Sequence, residues 1–554
     1  MASNLLQYSS WPSNQYETRT AIAYAILAAA AISVVHYSVT LALYNATPKK
    51  VPPKSPPLLP HFLPLIGSFP WKYFTDPIRF FTTGYLSLVR HPIRVRLLGH
   101  DFYIIQGSDH VLSHLSQTST SNTIFNANFL RQACGMSDKA VDRLGSESEE
   151  TPKYFELKKY LAAAPLYAWS SSVIHRYLAG RGAHKLSQRF EANLRDRIRT
   201  YQEAAVGDGI VLSNFQDFFT EHVTAALLDS MCGTGLLAKN PGVTQAFWIF
   251  CDSLPTYMKH TPRILAPKAY KAREEVIAAV QVWQTWASEN FDADTTPLDE
   301  DGDDPFWGSK FFRERFSTFV FEMGFDPRDM ASMEVGFLFG ASANVTANTY
   351  WCVIDVFRDH KLLNDIRAEV RDSTLREKGA ARLDINVLVQ QPILQAVFAE
   401  SLRLRCHVMF IRKTTQPTTI VDWLIPKDRF LIAWSTPGHM DSKLWSHSND
   451  VHPVDTFWPG RFLKYTSDSE RPTFSLPGTE GSWLPFGYGA NLCPGRQFAK
   501  VHCLVTLALM VGEFECDILA SSKDLKLDLS KFGIGVLGPS GTISARLRKR
   551  DDRG

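Results

Sequence analysis

The run Leu484-Pro-Phe-Gly-Tyr-Gly-Ala-Asn-Leu-Cys-Pro-Gly-Arg496-Gln-Phe-Ala-Lys500 carries the pattern richest in chemistry. Its glycines let the backbone turn tightly and let a flat ligand approach. Cys493 falls at a predicted loop-to-helix junction, with Pro494 suited to the first helical position. Backbone N–H groups at a helix start favour an anion, and so favour a thiolate. An anionic, sheltered sulfur is what a metal ligand requires. Cys503 and Cys516 read as ordinary buried thiols on the following helix. A lone Cys is usually a packing residue, but the loop around Cys493 turns the reading toward a ligand.

Other polar patterns carry less. Gly533-Ile-Gly-Val-Leu-Gly538 matches a dinucleotide-loop pattern, but the sixteen residues after it leave no room for a crossover helix and return strand. Asn45-Ala-Thr and Asn344-Val-Thr match a glycosylation sequon, yet one abuts an apolar segment and the other lies inside a predicted helix. His110 and His114 have i, i+4 spacing without a third ligand nearby. The acidic stretch 292–305 lacks the ligand spacing of a calcium loop and reads as a solvated connection between helices.

The elements that must position the Cys loop are mostly helical. Residues 155–290 show apolar positions at 3–4 spacing. Pro327 to His360 reads as one long helix with Asp326 as its N-cap. Glu400-Ser-Leu-Arg403 places two charges on one helix face. A second buried helix is expected after Gly495. Short β-like runs occur at Ile93–Leu98, Tyr103–Gln106, Thr418–Trp423 and Phe430–Trp434. No repeat of 20 to 50 residues is visible, which argues against a solenoid or propeller. The expected class is mainly α with small β-sheets.

Composition bounds the function. Charge is 59 − 56 = +3 over 554 residues, so bulk positive charge gives no reason to expect a nucleic-acid partner. Eight Cys in such a chain exclude a disulfide scaffold. Between Arg19 and Lys49 there is no charged residue. The apolar part, 21–44, would reach roughly 36 Å as a helix, enough for a hydrocarbon core of about 30 Å. Lys49, Lys50 and Lys54 follow it, which places the large C-terminal part in the cytosol. About twenty mostly polar residues precede it, unlike a cleavable signal. Seven prolines in 48–64 stiffen the exit from this segment. The expected organisation is a lumenal 1–20, an anchor 21–44, a proline-rich hinge 45–67 and a catalytic body 68–554, as a single-pass membrane protein.

The Cys493 run resembles the haem-binding signature F-x-x-G-x-x-x-C-x-G of the cytochrome P450 superfamily, filled by Phe486, Gly489, Cys493 and Gly495. Glu400-Ser-Leu-Arg403 is similar to that family's E-x-x-R, and Phe457-Trp-Pro-Gly-Arg461-Phe to the segment supplying a second arginine. The resemblance implies the cytochrome P450 fold, haem b held by the Cys493 thiolate, and a buried ion network of Glu400, Arg403 and Arg461 behind it. It implies location on the endoplasmic reticulum membrane, contact with membrane lipid, and electrons from NADPH through NADPH–cytochrome P450 reductase, with Arg496 and Lys500 as candidate docking cations. Ala341 to Trp351, Glu400 to Arg405, Ile411-Arg412 and the tail from Phe532 resemble the sterol 7α-hydroxylase and prostacyclin synthase branch. That implies a steroid, triterpenoid or related lipophilic polycycle as substrate, in a pocket of Phe337, Gly340, Ala341, Val345, Ile534 and Val536.

Two departures from the family matter. Asn491 stands where most members carry Arg or His for a haem propionate, so Arg412, and Lys158 or Lys159, are the expected cationic contacts. The helix's usual acid–alcohol proton relay reads Asn344 and Val345, with Thr346 one residue on; Asn344 and Thr346 are the catalytic candidates. Loss of the pair keeps open an isomerase or dehydratase acting on a peroxide, and more remotely a non-catalytic membrane-anchored haem or sterol binder.

Overall fold

The computed structural model describes residues 13–47, 54–63, 76–82, 89–97, 99–145, 165–180, 182–377, 380–446, 451–465 and 471–550. Pro327–Phe357 forms a 31-residue helix, capped by Asp326, whose carboxylate accepts the Arg328 N–H at 2.8 Å. Nearly every side chain from Met330 to Phe357 is buried, so it is the axis of the core. It ends three residues before the predicted His360, because Asp359 caps a new helix, His360–Asp372, by accepting the Lys361 and Leu362 N–H groups. The long helix packs against Pro267–Asn290, Pro392–Arg405 and Arg496–Glu513. Helices Pro165–Ala179, Gly182–Ala204, Thr224–Cys232 and Val243–Asp252 complete the helical body.

One mixed sheet flanks it, in the order Ile93–Leu97, His100–Ile104, Phe430–Trp434, Cys406–Thr414, Ile534–Val536, with Thr120–Ser121 also paired to Cys406–Thr414. The hub strand Cys406–Thr414 did not stand out by alternation, since it follows the helix Pro392–Arg405 without a turn residue. The predicted strand Thr418–Trp423 is a hairpin of Thr418–Ile420 and Trp423–Ile425, because Val421 turns the chain at φ 54°. Cys516 lies on the strand Phe514–Ile518, not on the helix before it. All eight cysteines are free. The acidic stretch is a loop as expected, except that Asp304 is buried, pairs with Arg313 and accepts the N–H groups of Phe306 and Trp307.

Ser13–Ala46 is one helix, long and apolar enough to cross a membrane. The described part of the proline segment after it, 54–63, is docked rather than free. Lys54 exchanges backbone bonds with Asp422 and Leu424, and Leu59 and Pro57 bond to Arg94. Phe62 stacks on Tyr37 at 4.1 Å, and Thr40 meets His61, so the segment touches the end of the apolar helix as well as the body.

Candidate active site

The Cys loop is closed by its own backbone. The Cys493 N–H donates to the Phe486 carbonyl at 2.9 Å. Gly489 has φ 68°, and a Cβ there would lie 2.6 Å from the Leu115 carbonyl oxygen, so only glycine fits. The helix that follows is Arg496–Glu513, with Gly495 as N-cap; Pro494 therefore precedes the cap instead of occupying the first helical position. Burial pushes the Cys493 thiol up, while the Gly495 N–H and Arg496 pull it down. The backbone alone does not secure the thiolate. A cation on the sulfur would do so.

Cys493 lines a cavity of about 450 Å³ between the loop, the long helix, the hub strand and the tail strand Ile534–Val536. Phe337, Gly340, Ala341, Asn344 and Val345 face it from the long helix, Ile534 and Val536 from the tail, Phe486 and Gly495 from the loop, and Arg412 from the hub strand. A Cβ at Gly340 would meet nothing within 4 Å, so the wall there is open space. The sequence motifs missed Phe125, Leu178, Phe398, Met409 and Phe410, which also line it. Met409 and Phe410 lie on the same strand as Arg412, which was the signal available for them. Among the described lining residues there is no carboxylic acid, histidine, serine or threonine.

Arg412 is 4% exposed. Its Nη1 donates to the carbonyls of Leu115, at 2.9 Å, and His114, at 3.2 Å. Among the described residues no carboxylate pairs with it, and burial lowers its pKa. It is a desolvated cation on the cavity wall. The exposed Asn491 side chain accepts from Asn122 at 3.4 Å on the same wall.

Asn344 and Thr346 part company. The Asn344 Oδ1 accepts the Val536 N–H at 2.9 Å. A Cβ at Gly535 would lie 2.2 Å from that oxygen, so the tail can pass only as glycine. Thr346 does not line the cavity. Its hydroxyl lies 3.3 Å from that of Thr224, which also accepts from Trp248. A step of one residue turns a helical side chain by about 100°, and this turns Thr346 into the core.

Behind the loop, Glu400 is fully buried and chelated by Arg403 at 2.7 and 2.9 Å. Arg461 donates to it at 2.7 Å and also to the carbonyls of Trp445, His452 and Pro453. The Trp458 N–H completes the carboxylate's partners. Such a network holds together because each charge offsets another's desolvation. Arg496 and Lys500 are half-buried: Arg496 donates to the Cys493 carbonyl, and Lys500 donates to Gln395, with burial lowering its pKa to about 8. Lys158 and Lys159 lie outside the described residues.

Residues 313–544 match the family model described as Cytochrome P450. Cytochrome P450 monooxygenase fsoE of Humicola fuscoatra is 27% identical over 83% of this chain and 81% of its own length. Cytochrome P450 monooxygenase calL of Penicillium decumbens is 33% identical over 54% of this chain and 56% of its own. Cytochrome P450 7A1 of Sus scrofa is 27% identical over 43% and 48%.

The chain belongs to the cytochrome P450 superfamily.

It is a cytochrome P450 monooxygenase, an oxidoreductase, and the family holds haem iron through a cysteine thiolate. The residues of this cytochrome P450 fit that group. Cys493 lines a mainly apolar cavity, which Cys406 and Met409 also line, and Arg412 on its wall is a buried guanidinium with no carboxylate partner among the described residues, suited to an anionic edge such as a haem propionate. Among the described residues no other cluster of metal ligands competes. Bound haem would supply oxygen activation. The protein would supply the sulfur, the charge partner at Arg412, and dry walls.

Proposed function

We propose that this cytochrome P450 oxidises a lipophilic polycycle of the steroid or terpenoid kind, as a membrane-anchored enzyme drawing electrons from NADPH through NADPH–cytochrome P450 reductase. The observation that carries the substrate class is the cavity itself. Cys493 and Arg412 occupy two of its walls, and the rest is mainly Phe, Leu, Ile, Val, Met, Ala, Pro and Gly, with Cys406, Tyr488 and five asparagines. Such a lining selects by shape and apolar area, with Asn344 the main polar feature between helix and tail. Resemblance to the sterol 7α-hydroxylase and prostacyclin synthase branch supports a rigid ring system. The apolar helix Ser13–Ala46 supports anchoring, and the lysines beyond it support a cytosolic body on the endoplasmic reticulum membrane.

Cys493 is the proposed iron ligand, Phe486 and Gly495 shape its loop, and Arg412 meets a propionate. Glu400, Arg403 and Arg461 hold the loop's support rigid. With no carboxylic acid, serine or threonine among the described lining residues, and Tyr488 the one hydroxyl there, protons reach the site through water. The same lack favours a second reading, rearrangement of a lipophilic peroxide without external electrons.

A binding-spectrum screen of steroids and terpenoids, followed by turnover with NADPH, reductase and O2, tests the proposal. A low-spin to high-spin shift and a hydroxylated product are expected. Turnover of a peroxide without NADPH or reductase would assign the second reading instead.

A further inference from the structure

One wall of the main cavity, Asn122, Phe125 and Asn126, comes from the short helix Thr123–Asn128 and the residue before it. No side chain of that helix is fully buried, and Phe125 is 36% exposed, so packing alone holds it weakly. Its upstream end is tied to the hub strand by the pairing of Thr120–Ser121 with Thr414 and Lys413. Its downstream end runs into a π-helical turn, Phe129–Ala133, that lies directly on the long helix. A Cβ at Gly336 would come within 2.9 Å of the Cys134 sulfur and 3.3 Å of the Phe129 ring, so a glycine is needed for this approach. Beyond the turn, two arginines hold the chain by its carbonyls. Arg273 Nη1, on the helix Pro267–Asn290, donates to the Gln132 carbonyl at 2.9 Å, and Arg328 Nη1, at the start of the long helix, donates to the Gly135 carbonyl at 3.1 Å. The other terminal nitrogen of each guanidinium goes to one shared carboxylate: Arg273 Nη2 donates to Glu274 Oε1 at 2.9 Å and Arg328 Nη2 to Glu274 Oε2 at 2.5 Å. Asp329 adds to the hold by accepting the Ser137 N–H and hydroxyl, each at 2.7 Å.

We propose that Glu274 is a positioning residue for ligand selection: through Arg273 and Arg328 it fixes the segment 122–137 against the cavity, and so sets how well a bulky ligand is held there. A guanidinium is a planar fork, so a carboxylate on one nitrogen fixes the direction of the next. Glu274 therefore aims both arginines at the chain, and its charge offsets the repulsion between them. Burial pushes the Glu274 carboxyl up, but the hydrogen bonds and charges of the two arginines outweigh this and hold it below the usual carboxylate range. Arg273, Glu274 and Arg328 do not line the cavity, so their influence on a ligand passes through the wall they hold. Glutamine at 274 would keep the shape but turn N–H groups toward an arginine that needs an acceptor. This inference deepens the reading of the main cavity as the haem and substrate site, and rests on it.

The test uses the full haem-loaded chain and two probes that bind haem iron through an azole nitrogen: imidazole, which is small, and clotrimazole, which is bulky. Dissociation constants are read from difference absorbance. Glu274→Gln is expected to weaken clotrimazole about tenfold, because the loosened wall must be ordered on binding, and to leave imidazole unchanged. Phe125→Ala removes the aromatic contact of the wall, and in that background the effect of Glu274→Gln on clotrimazole should fall below about threefold. A residue that only stabilised the fold would act equally in both backgrounds. Hydrogen exchange should quicken at the amides of 122–137 in Glu274→Gln and stay unchanged in the Cys493 loop. If Glu274→Gln does not load haem, Arg328→Met, at the more exposed side of the clamp, carries the same expectations. An unaltered clotrimazole-to-imidazole ratio, or a loss that Phe125→Ala does not reduce, would overturn the proposal. The reduced, CO-bound spectrum separates the two levels. A normal thiolate band with an unaltered ratio sinks the positioning role alone, whereas a wild-type chain without that band removes the haem reading and the selection role with it.

Discussion

The amide oxygen of Asn344 accepts the backbone N–H of Val536 across 192 residues of chain, at 2.9 Å. Two further bonds secure the same tail: Trp351 Nε1 donates to the Leu537 carbonyl at 2.8 Å, and the Leu537 N–H donates to the Arg405 carbonyl at 2.9 Å. The long helix thus carries the tail as a fixed wall of the cavity. An acid at this helical position would be a proton donor; the amide here is a brace.

Asn344→Ala removes the brace but leaves the other two bonds. The expected loss is about 1 kcal/mol in denaturant unfolding, together with a broader range of lipophilic ligands giving a spin shift. Gly535→Ala drives a methyl into the Asn344 oxygen and is expected to cost about 1 to 3 kcal/mol. The double variant Asn344→Ala with Gly535→Ala should recover part of that loss. Additive losses would show that the two residues do not meet.

Thr346→Val tests which way the hydroxyl faces. Because it meets Thr224 in the core, the substitution is expected to leave the turnover rate within about twofold while lowering stability by about 1 kcal/mol. A large drop in turnover with unchanged stability would place the hydroxyl at the cavity instead.

Arg403→Ala strands the buried Glu400 carboxylate with one guanidinium fewer. A loss of about 3 to 5 kcal/mol is expected, read as a lower urea midpoint and a smaller fraction of chain carrying haem. Arg403→Lys should recover little, since one ammonium cannot reproduce the two parallel bonds of the guanidinium.

Cys493→Ala is expected to abolish the thiolate CO band while the far-ultraviolet circular dichroism stays near that of the wild type. The loop is closed by the backbone of residue 493, which alanine retains. Normal turnover by this variant would overturn the ligand assignment.

Glu369 accepts the N–H groups of Ile393 and Leu394 at the start of the helix that carries Glu400, and burial raises its pKa from 4.5 to about 7. The folded chain therefore keeps a proton that the unfolded chain releases above about 4.5. This group's contribution is full below that pH and is lost as pH rises through about 7. Glu369→Gln removes the titration, so the difference in Tm between variant and wild type should shift in the variant's favour from pH 5 to 7.5. A difference independent of pH would show that the carboxyl is not raised.

What the sequence by itself determined was local in the chain. The Cys493 loop, the Glu400–Arg403 spacing, the Asp326 cap and the apolar N-terminal segment each depend on residues within a few turns of one another, and chain geometry alone sets those relations. The helix starts after Gly495 as expected, with Gly495 as its cap, so only Pro494 falls outside the first helical position. The tertiary structure decided the facing of side chains. Thr346 turned to Thr224, Asn344 to the tail, and Lys500 to Gln395, each according to which element packs beside it. That Arg412 has no carboxylate partner among the described residues was likewise invisible, since this is a property of the folded surroundings and not of any stretch of sequence.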